Sequence, residues 1–149
     1  MDGHIDAVRL TPTPEGAVPV VVLGVDGESD VIPIFIGFGE AESIDRGLEA
    51  EDIGRPLTHD LLLDVIEELG GRISAVTISA IEDDTYIADL HIDTPRGSTT
   101  IDARPSDSLA LAARTNAPIE VEDYVFEQGR RPADAFEQLT TLREARRTG

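Results

Sequence analysis

The chain has 149 residues, of which 40% are hydrophobic, so it is large enough to bury one hydrophobic core. It has no cysteine, which excludes disulfides, thiolate zinc sites and a cysteine nucleophile. There are 30 acidic residues and 12 basic ones, all of them arginine, which gives a net charge of −18. Such a charge is typical of a protein from a salt-rich cytoplasm, as in halophilic archaea, because salt screens the repulsion between its acidic side chains. No apolar run approaches the ~20 residues of a membrane-spanning helix and no signal peptide is recognisable, so we expect a soluble, cytoplasmic protein.

Three antiparallel strands are predicted in the first third of the chain. Residues 4–11 alternate between apolar and polar, and residues 18–25 form a β-branched run typical of a buried strand. Asp26-Gly27 tolerates the positive φ angles of a hairpin turn and leads into the third strand, at 30–36. Because Pro33 has no N–H group, we expect that strand at a sheet edge or at a bulge.

Two helices are predicted next, over 40–50 and 58–69. The first has apolar residues at positions i, i+3 and i+7 of one face. For the second, Thr58 is the expected N-cap and Gly70 the expected residue after the helix end. Its expected buried stripe consists of Leu61, Leu62, Val65, Ile66 and Leu69.

The second half of the chain predicts a second meander, then a helix and a short strand. The expected strands are at 72–81, 85–93, 98–103 and 118–121. The helix is expected over 106–115, with Ser106 or Asp107 as its cap. An arginine-rich segment at the end predicts one more helix, packed on the domain or on a partner.

These elements predict an α+β fold. We expect a mostly antiparallel sheet built from two meanders, with about three helices covering one side and a C-terminal helix. The expected division is a domain over 1–126 and a helical tail over 127–149.

Short motifs of common catalytic sites are absent from the sequence. The histidines at positions 4, 59 and 91 are too far apart for the His-x-x-x-His spacing of zinc sites. Ser106 lacks the flanking glycines of a hydrolase nucleophile, and no phosphate-binding glycine loop occurs. Catalysis would therefore depend on other oxygen or imidazole groups.

Charged residues recur at the start of each predicted helix, in "IGFGEAE", "RPLTHD" and "DARPSD". Helix N-termini favour anions, and Arg55 and Arg104 can donate paired hydrogen bonds to phosphate. Carboxylates near these helix starts can hold Mg²⁺ or Mn²⁺, namely Glu40, Glu42, Asp60, Asp102 and Asp107. Equally, the two Arg-Pro junctions can be structural clamps that only fix how the helices begin. If they form one site, residues 55–60 and 102–107 lie close together.

Three long segments in order, "IPIFIGFGEAESI", "RPLTHDLLLDVIEELG" and "IDARPSDSLALAARTNAPIEV", resemble the bifunctional nuclease family over roughly residues 5 to 126. The resemblance implies a compact α/β domain that forms a homodimer or a larger homo-oligomer, and nuclease activity on DNA and RNA, as known from plant relatives. It also marks a set of motif positions in this chain, which are Glu40, Arg55, His59, Asp60, Asp102, Arg104, Ser106 and Asp107.

The resulting hypothesis is metal-assisted hydrolysis of phosphodiester bonds. Arg55, Arg104 and Ser106 would bind phosphate, and His59 would serve as acid or base. The divalent ion would be held by carboxylates among Glu40, Asp60, Asp102 and Asp107, of which all but Asp102 are also candidate catalytic residues.

The alternative is a non-catalytic homo-oligomeric module that binds a small anionic ligand or a protein partner. The large negative charge favours this reading, because nucleic-acid binding normally relies on basic side chains. Geometry discriminates between the two. Free carboxylates that converge favour the nuclease, whereas Asp60 and Asp107 engaged by arginines favour the binding module.

Overall fold

The computed structural model describes residues 1–50 and 54–148, as one sheet and six helices. The strands are β1 (Asp2–Thr13), β2 (Gly16–Val25), β3 (Asp30–Phe35), β4 (Arg72–Glu82), β5 (Thr85–Thr94), β6 (Gly97–Ala103), β7 (Ile119–Val121) and β8 (Arg131–Pro132). The helices are α1 (Phe38–Glu49), α2 (Thr58–Glu68), α3 (Pro105–Thr115), α4 (Asp123–Gly129), α5 (Asp134–Glu137) and α6 (Leu142–Thr148). The α+β prediction is confirmed.

Both predicted meanders are present, and they form a single sheet in the order β6-β5-β4-β7-β1-β2-β3-β8. The short strand β7 joins them, antiparallel to β1 and parallel to β4. Hydrophobic periodicity predicts strands but not their partners, so neither the joining nor the parallel pair was foreseen. Pro33 pairs with Val22 of β2 and lies beyond the two residues of β3 that pair with β8, so its missing N–H group faces a sheet edge, as predicted.

Strand β2 is buried on both faces, which explains its unbroken apolar run. Val21 and Leu23 face the main core, together with Ile44 of α1 and Leu109 of α3. On the opposite face, Val20 and Val22 form a smaller cluster with Val31 that is covered by Ala133 and Phe136. The helices α1 and α3 therefore cover one face of the sheet, and the C-terminal segment covers part of the other.

The C-terminal segment packs on the domain, as one of the two predicted alternatives stated. It forms two short helices instead of one, and Leu142 of α6 is buried in the main core. Arg146 of α6 pairs with Asp45 and Glu49 of α1, which attaches the segment to the first helix. Position 149 of the predicted tail lies outside the described residues.

The N-cap of each Arg-Pro helix lies one to three residues before the cap predicted from the sequence. Helix α2 is capped at Leu57, so Thr58 is its first residue, and the carboxylate of Asp60 accepts the Leu57 N–H group over 3.0 Å. Helix α3 is capped at Arg104, with proline at its first position, and this places Ser106 and Asp107 inside the helix. Proline is favoured there because its missing N–H group has no partner at that position anyway.

The apolar stripe predicted to be buried on α2 is exposed. No residue of α2 is fully buried, and Leu69 at its end exposes 75% of its surface. Leu63 and Ile66 alone of this helix pack partly against the core. The other members of the stripe, Leu61, Leu62 and Val65, remain accessible to solvent. The periodicity predicted the helix correctly, but a period of 3.6 does not say what covers the apolar face. Among the described residues, no helix is long and apolar enough to cross a membrane.

Candidate functional site

The three helix starts converge on one cluster of charged side chains. His59 Nε2 of α2 lies 2.8 Å from Asp107 Oδ1 of α3. Arg104 donates from Nε to Asp107 Oδ2 over 2.9 Å and from Nη2 to Asp107 Oδ1 over 3.1 Å. Its Nη1 donates to Glu40 Oε1 of α1 over 3.3 Å. The prediction that residues 55–60 and 102–107 lie close together is therefore confirmed.

Local chain geometry explains how Arg104 reaches Asp107. Arg104 is the N-cap of α3 and has extended backbone angles, φ −70° and ψ 144°, as is usual for the residue before proline. Asp107 follows three residues later in the first turn, so the two side chains meet across the helix start. The carboxylate also lies at the positive end of the helix dipole, which stabilises its charge.

The other nitrogen of the His59 ring meets a buried serine. Ser43 Oγ of α1 lies 2.6 Å from His59 Nδ1, and Ser43 exposes 5% of its surface. An ionised carboxylate only accepts hydrogen bonds, so the His59 Nε2–H group donates to Asp107. In the neutral ring, Nδ1 then accepts the hydroxyl proton of Ser43. Both nitrogens are engaged, and the histidine side chain is 13% exposed instead of solvated.

Arg114, which is 8% exposed, ties the three helices together behind the histidine. Its Nε donates to Asp60 Oδ1 over 2.6 Å and its Nη2 donates to Ser43 Oγ over 3.2 Å. Nη1 donates to the backbone oxygens of Ser43 and Ala110. A continuous network therefore runs from the buried Arg114 through Ser43 and His59 to the charged cluster at the surface.

The network holds two carboxylates in the ionised form. The hydrogen bond from Arg114 lowers the pKa of Asp60 below its ordinary value of 3.8, and it outweighs the burial that opposes this shift. Burial alone would raise the pKa of Asp107, but hydrogen bonds from Arg104 and His59 more than offset it, so this pKa also lies below 3.8. The same contacts raise the pKa of the Arg104 guanidinium. The cluster is therefore a fixed arrangement of charges at neutral pH.

A first cavity of about 820 Å³ opens between α2 and the strands β5 and β6. His59, Arg104 and Asp107 form part of its wall, and Asp102 lines it as well. The rest of its lining is mainly apolar, with contributions from α2, α3, β5 and β6, including Leu62, Ile66, Leu90, Ile92 and Leu111. A concave apolar site with a few convergent polar groups is typical of ligand binding in proteins.

A second cavity of about 820 Å³ also has Arg104 in its wall. Glu40, Ser106 and Arg131 line it, together with the half-exposed ring of Phe35. Arg104 and Tyr86 line both cavities. The pKa of Tyr86 is raised, chiefly by burial of its hydroxyl.

The predicted divalent-metal ligands do not form an assembled metal site. Within residues 1–50 and 54–148 there is no group of three or more histidine or acidic side chains placed to hold an ion. Both carboxylate oxygens of Asp60 and of Asp107 already accept hydrogen bonds from the chain itself. As placed, these residues do not fit a bound ion, because Arg104 occupies the space between Glu40 and Asp107.

The structure thus separates the predicted site residues into groups. Glu40, His59, Arg104 and Asp107 meet in one cluster, and Asp102 and Ser106 each line one of the two cavities. Asp60 lies behind the cluster, bonded to Arg114. Arg55 is exposed and lines neither cavity in the described part of the chain.

Several important residues were not singled out from the sequence. Ser43 and Arg114 lie on the inner faces of α1 and α3, and Tyr86 and Ser108 line cavity walls. An arginine in the last turn of an amphipathic helix ordinarily complements the helix dipole, so its position at the helix end did not mark Arg114 as a functional residue. A serine and an arginine in otherwise apolar helix faces were the available indication of buried polar partners.

Comparison with known proteins gives the following matches. The family model of the Bifunctional nuclease domain matches residues 21–134. An uncharacterized protein of Mycobacterium tuberculosis is 38% identical over 141 residues, which cover 93% of this chain and 84% of that protein. Bifunctional nuclease 2 of Oryza sativa subsp. japonica is 30% identical over 114 residues, 72% of this chain and 35% of the plant protein. Bifunctional nuclease 1 of Arabidopsis thaliana is 24% identical, over 88% of this chain and 45% of its own length. This chain therefore spans most of the mycobacterial protein and less than half of either plant protein.

Proposed function

The chain belongs to the bifunctional nuclease domain family, and on that premise we propose that it hydrolyses phosphodiester bonds of DNA and RNA at the cluster around Arg104. The observation that carries the proposal is the contact between His59 Nε2 and Asp107 Oδ1, with Arg104 on the same carboxylate. A proton-transfer group and a phosphate-binding cation then lie side by side at the wall of a cavity.

Arg104 is the proposed phosphate ligand. A guanidinium group has five N–H donors, and the contacts to Asp107 and Glu40 use one each from Nε, Nη1 and Nη2. One donor on each of the two terminal nitrogens remains for phosphate oxygens, and the side chain is 64% exposed. In the proposed complex these two donors would bind the phosphate oxygens on which negative charge develops during phosphoryl transfer, which is the stabilisation that such reactions require.

His59 is the proposed acid and base, acting through Nε2. The Ser43 side of the ring is buried, whereas Asp107 is one-third exposed, so Nε2 is the nitrogen closer to solvent. For transfer, the neutral ring changes tautomer by proton exchange with solvent, so that Nε2 loses its proton and Nδ1 gains one. Nδ1–H then donates to Ser43, and the bare Nε2 accepts a hydrogen bond from the attacking water in place of its contact with Asp107. The ring takes a proton from water as the new P–O bond forms, and the proton that it then releases reaches the leaving oxygen through solvent as the old bond breaks, because the two oxygens lie on opposite sides of phosphorus. Asp107 stabilises the intermediate imidazolium and stays oriented by Arg104.

A requirement for Mg²⁺ or Mn²⁺ stays a prediction. Glu40, Asp84 and Asp102 are the cavity-lining carboxylates for which the described part of the chain does not provide hydrogen-bond partners on both oxygens. Because the described residues contain no assembled ligand set, no step of the proposed chemistry is assigned to an ion. Comparison of activity in EDTA with activity after addition of each ion tests the requirement.

The second candidate function is the non-catalytic binding module, and one observation favours it. Asp60 is engaged by Arg114 and Asp107 by Arg104, which is the arrangement expected of structural clamps. In this case the two free donors of Arg104 would hold a small anionic ligand or a carboxylate of a protein partner. The module would bind such a ligand but would not cleave nucleic acid.

We further propose that the protein is a homo-oligomer in a salt-rich cytoplasm, with α2 at the contact between copies. Two chains of net charge −18 repel each other, so a stable contact between them requires an apolar surface. Helix α2 provides one, because Leu61, Val65 and Leu69 are exposed on it and lie outside the first cavity. High salt supports this contact by screening the repulsion.

The experiment that decides between the functions is a cleavage assay on labelled DNA and RNA in molar KCl. The wild type and the Arg104→Gln variant are compared in EDTA and with added Mg²⁺ or Mn²⁺. The nuclease proposal requires cleavage by the wild type under at least one of these conditions and a loss of about 100-fold or more in the variant. No cleavage under any of them, with retained binding of small anions, would establish the binding module.

A further inference from the structure

Two neighbouring cavities both have Arg104 in their walls. They share the side chains of Arg104 and Tyr86, so they form two halves of one groove. Each half encloses about 820 Å³, which is within the usual size range of small-molecule sites and is larger than a single nucleobase needs. A groove with two compartments and a cation at their boundary is suited to a repeating ligand with a phosphate between its units.

One of the residues that line the first cavity has a buried hydroxyl group without a partner in the described structure. Ser108 has no exposed surface, and its Oγ forms no hydrogen bond in the described structure. Such a group is costly to leave unpaired, and a ligand with a hydrogen-bonding edge removes that cost. Asp102, in the same cavity, can accept from an exocyclic amine. Together with the apolar walls, these groups match a nucleobase, which has apolar faces and a polar edge.

The second cavity offers a different set of contacts. Phe35 presents a ring that is 56% exposed, and an exposed aromatic ring is a stacking platform for a base. Arg131 lines the same cavity and supplies a second cation for the nucleic-acid backbone. Tyr86 stands at the boundary of the two cavities, next to Arg104.

Resting on the proposed nuclease function, we propose that the two cavities are subsites for the bases of two consecutive unpaired nucleotides, with the phosphate that joins them on Arg104. The base in the first cavity meets Ser108 and Asp102, and the base in the second cavity stacks on Phe35. The scissile phosphate then lies next to His59, which lines the first cavity. The substrate class is single-stranded DNA or RNA.

Two consequences follow from the chemistry of the groove. Paired and stacked bases cannot enter two cavities that share one arginine, so a duplex must first open, at a cost in free energy. Glu40 and Asp107 already surround Arg104, so binding depends on base burial more than on phosphate charge. The groove offers one or two cationic contacts to a single strand. A plot of the logarithm of the binding constant against the logarithm of the salt concentration should therefore have a slope of only about −1.

The test measures binding of fluorescein-labelled octanucleotides by fluorescence anisotropy. Single-stranded DNA, single-stranded RNA and a DNA duplex of the same sequence are compared in EDTA, from about 0.3 to 2 M KCl. Ala103→Phe fills the first cavity and Thr85→Trp fills the second. Ala135→Phe and Thr99→Trp are matched controls at exposed positions that line neither cavity. Gel analysis verifies that the probes stay intact, and circular dichroism verifies folding.

The expected result is at least tenfold preference for either single strand over the duplex, with a shallow salt slope. Each cavity-filling variant should lose at least fivefold in affinity, and each control should stay within twofold. Ser108→Ala, which does not disturb packing, should lose about fivefold because one hydrogen bond is missing. Equal affinity for duplex and single strand overturns the subsites. Wild-type affinity in Ser108→Ala, combined with wild-type affinity in a cavity-filling variant that folds, overturns them as well. A chain that binds single strands selectively yet never cleaves them supports the subsites and contradicts the nuclease function instead.

Discussion

His59 Nε2 and Asp107 Oδ1 lie 2.8 Å apart although 48 residues separate them in the chain. The contact joins the starts of α2 and α3, and Arg104 holds the same carboxylate from its other side. Behind the histidine, Ser43 and Arg114 continue the network into the interior. The proton-transfer group of His59 therefore lies between the buried Arg114 and the exposed Arg104, and this arrangement makes the cluster a candidate catalytic site.

Arg114→Ala should destabilise the protein more than the loss of an ordinary surface arginine. The change removes a partner from Asp60 and from the buried hydroxyl of Ser43. We expect a loss of about 2 kcal/mol in the free energy of unfolding, below the usual cost of breaking a fully buried pair because Asp60 is partly exposed. Urea unfolding measures it, and Arg72→Ala, an exposed arginine paired with Asp93, is the control, with an expected change within about 0.5 kcal/mol. Equal losses of unfolding free energy in the two variants would contradict the role of Arg114 in holding the three helices together.

Acid should abolish the stabilisation that Asp60 provides. The folded-state pKa of this carboxyl is lowered, so its contribution is present above pH ~4 and disappears as the pH falls through the folded-state pKa. At neutral pH, Asp60→Asn should therefore unfold at lower urea concentration than the wild type, and the difference should shrink below pH 4. Asp134→Asn, at an exposed position, should show no such trend. A wild-type advantage that is constant from pH 7 to pH 2.5 would contradict the assignment.

Stability should rise with salt, because of the formal charge of −18. Self-repulsion weakens as the screening length falls from about 10 Å at 0.1 M to about 3 Å at 1 M. We expect the thermal midpoint to increase by roughly 10 °C or more between 0.1 and 2 M KCl, since a few kcal/mol moves the midpoint of a chain of this size by that amount. A glycerol series serves as control for general solvent effects. A midpoint that is independent of KCl would contradict the proposed salt-rich habitat.

The exposed stripe on α2 predicts a specific effect on assembly. Leu61→Glu places a charge on the proposed contact between copies and should convert the oligomer to monomer in molar KCl, as measured by light scattering. Folding should be retained, because Leu61 is 55% exposed in the single chain. Leu48→Glu on α1 is the matched control, since Leu48 is also exposed but lies on a different helix. A wild type that is monomeric at all salt concentrations would contradict the proposal that α2 forms the contact between copies.

Sequence patterns predicted most of the elements and the proximity of the two helix starts, for physical reasons that are local. Strands and helices follow from the period of apolar residues, and two Arg-Pro helix starts with similar chemistry indicated that residues 55–60 and 102–107 would lie close together, although not that His59 would contact Asp107. The joining of the two meanders through β7 depends on pairing between distant residues, which the periodicity does not encode. The exposure of Leu61 and Leu69 likewise depends on what packs against α2. Ser43 and Arg114 were missed because their roles exist only when three helices meet.

The measurement that tests the central claim most directly is the cleavage rate of His59→Ala on single-stranded DNA and RNA in molar KCl, with the divalent ion that supports wild-type activity if one is needed. His4→Ala is the control, because His4 is half-exposed, bonds only to Asp26 among the described residues and lies outside both cavities. If His59 is the acid and base, kcat should fall about 100-fold or more in His59→Ala while the variant remains folded, and His4→Ala should retain wild-type activity. Equal rates in the two variants, or losses that only follow their stability, would contradict a catalytic role of the cluster around Arg104.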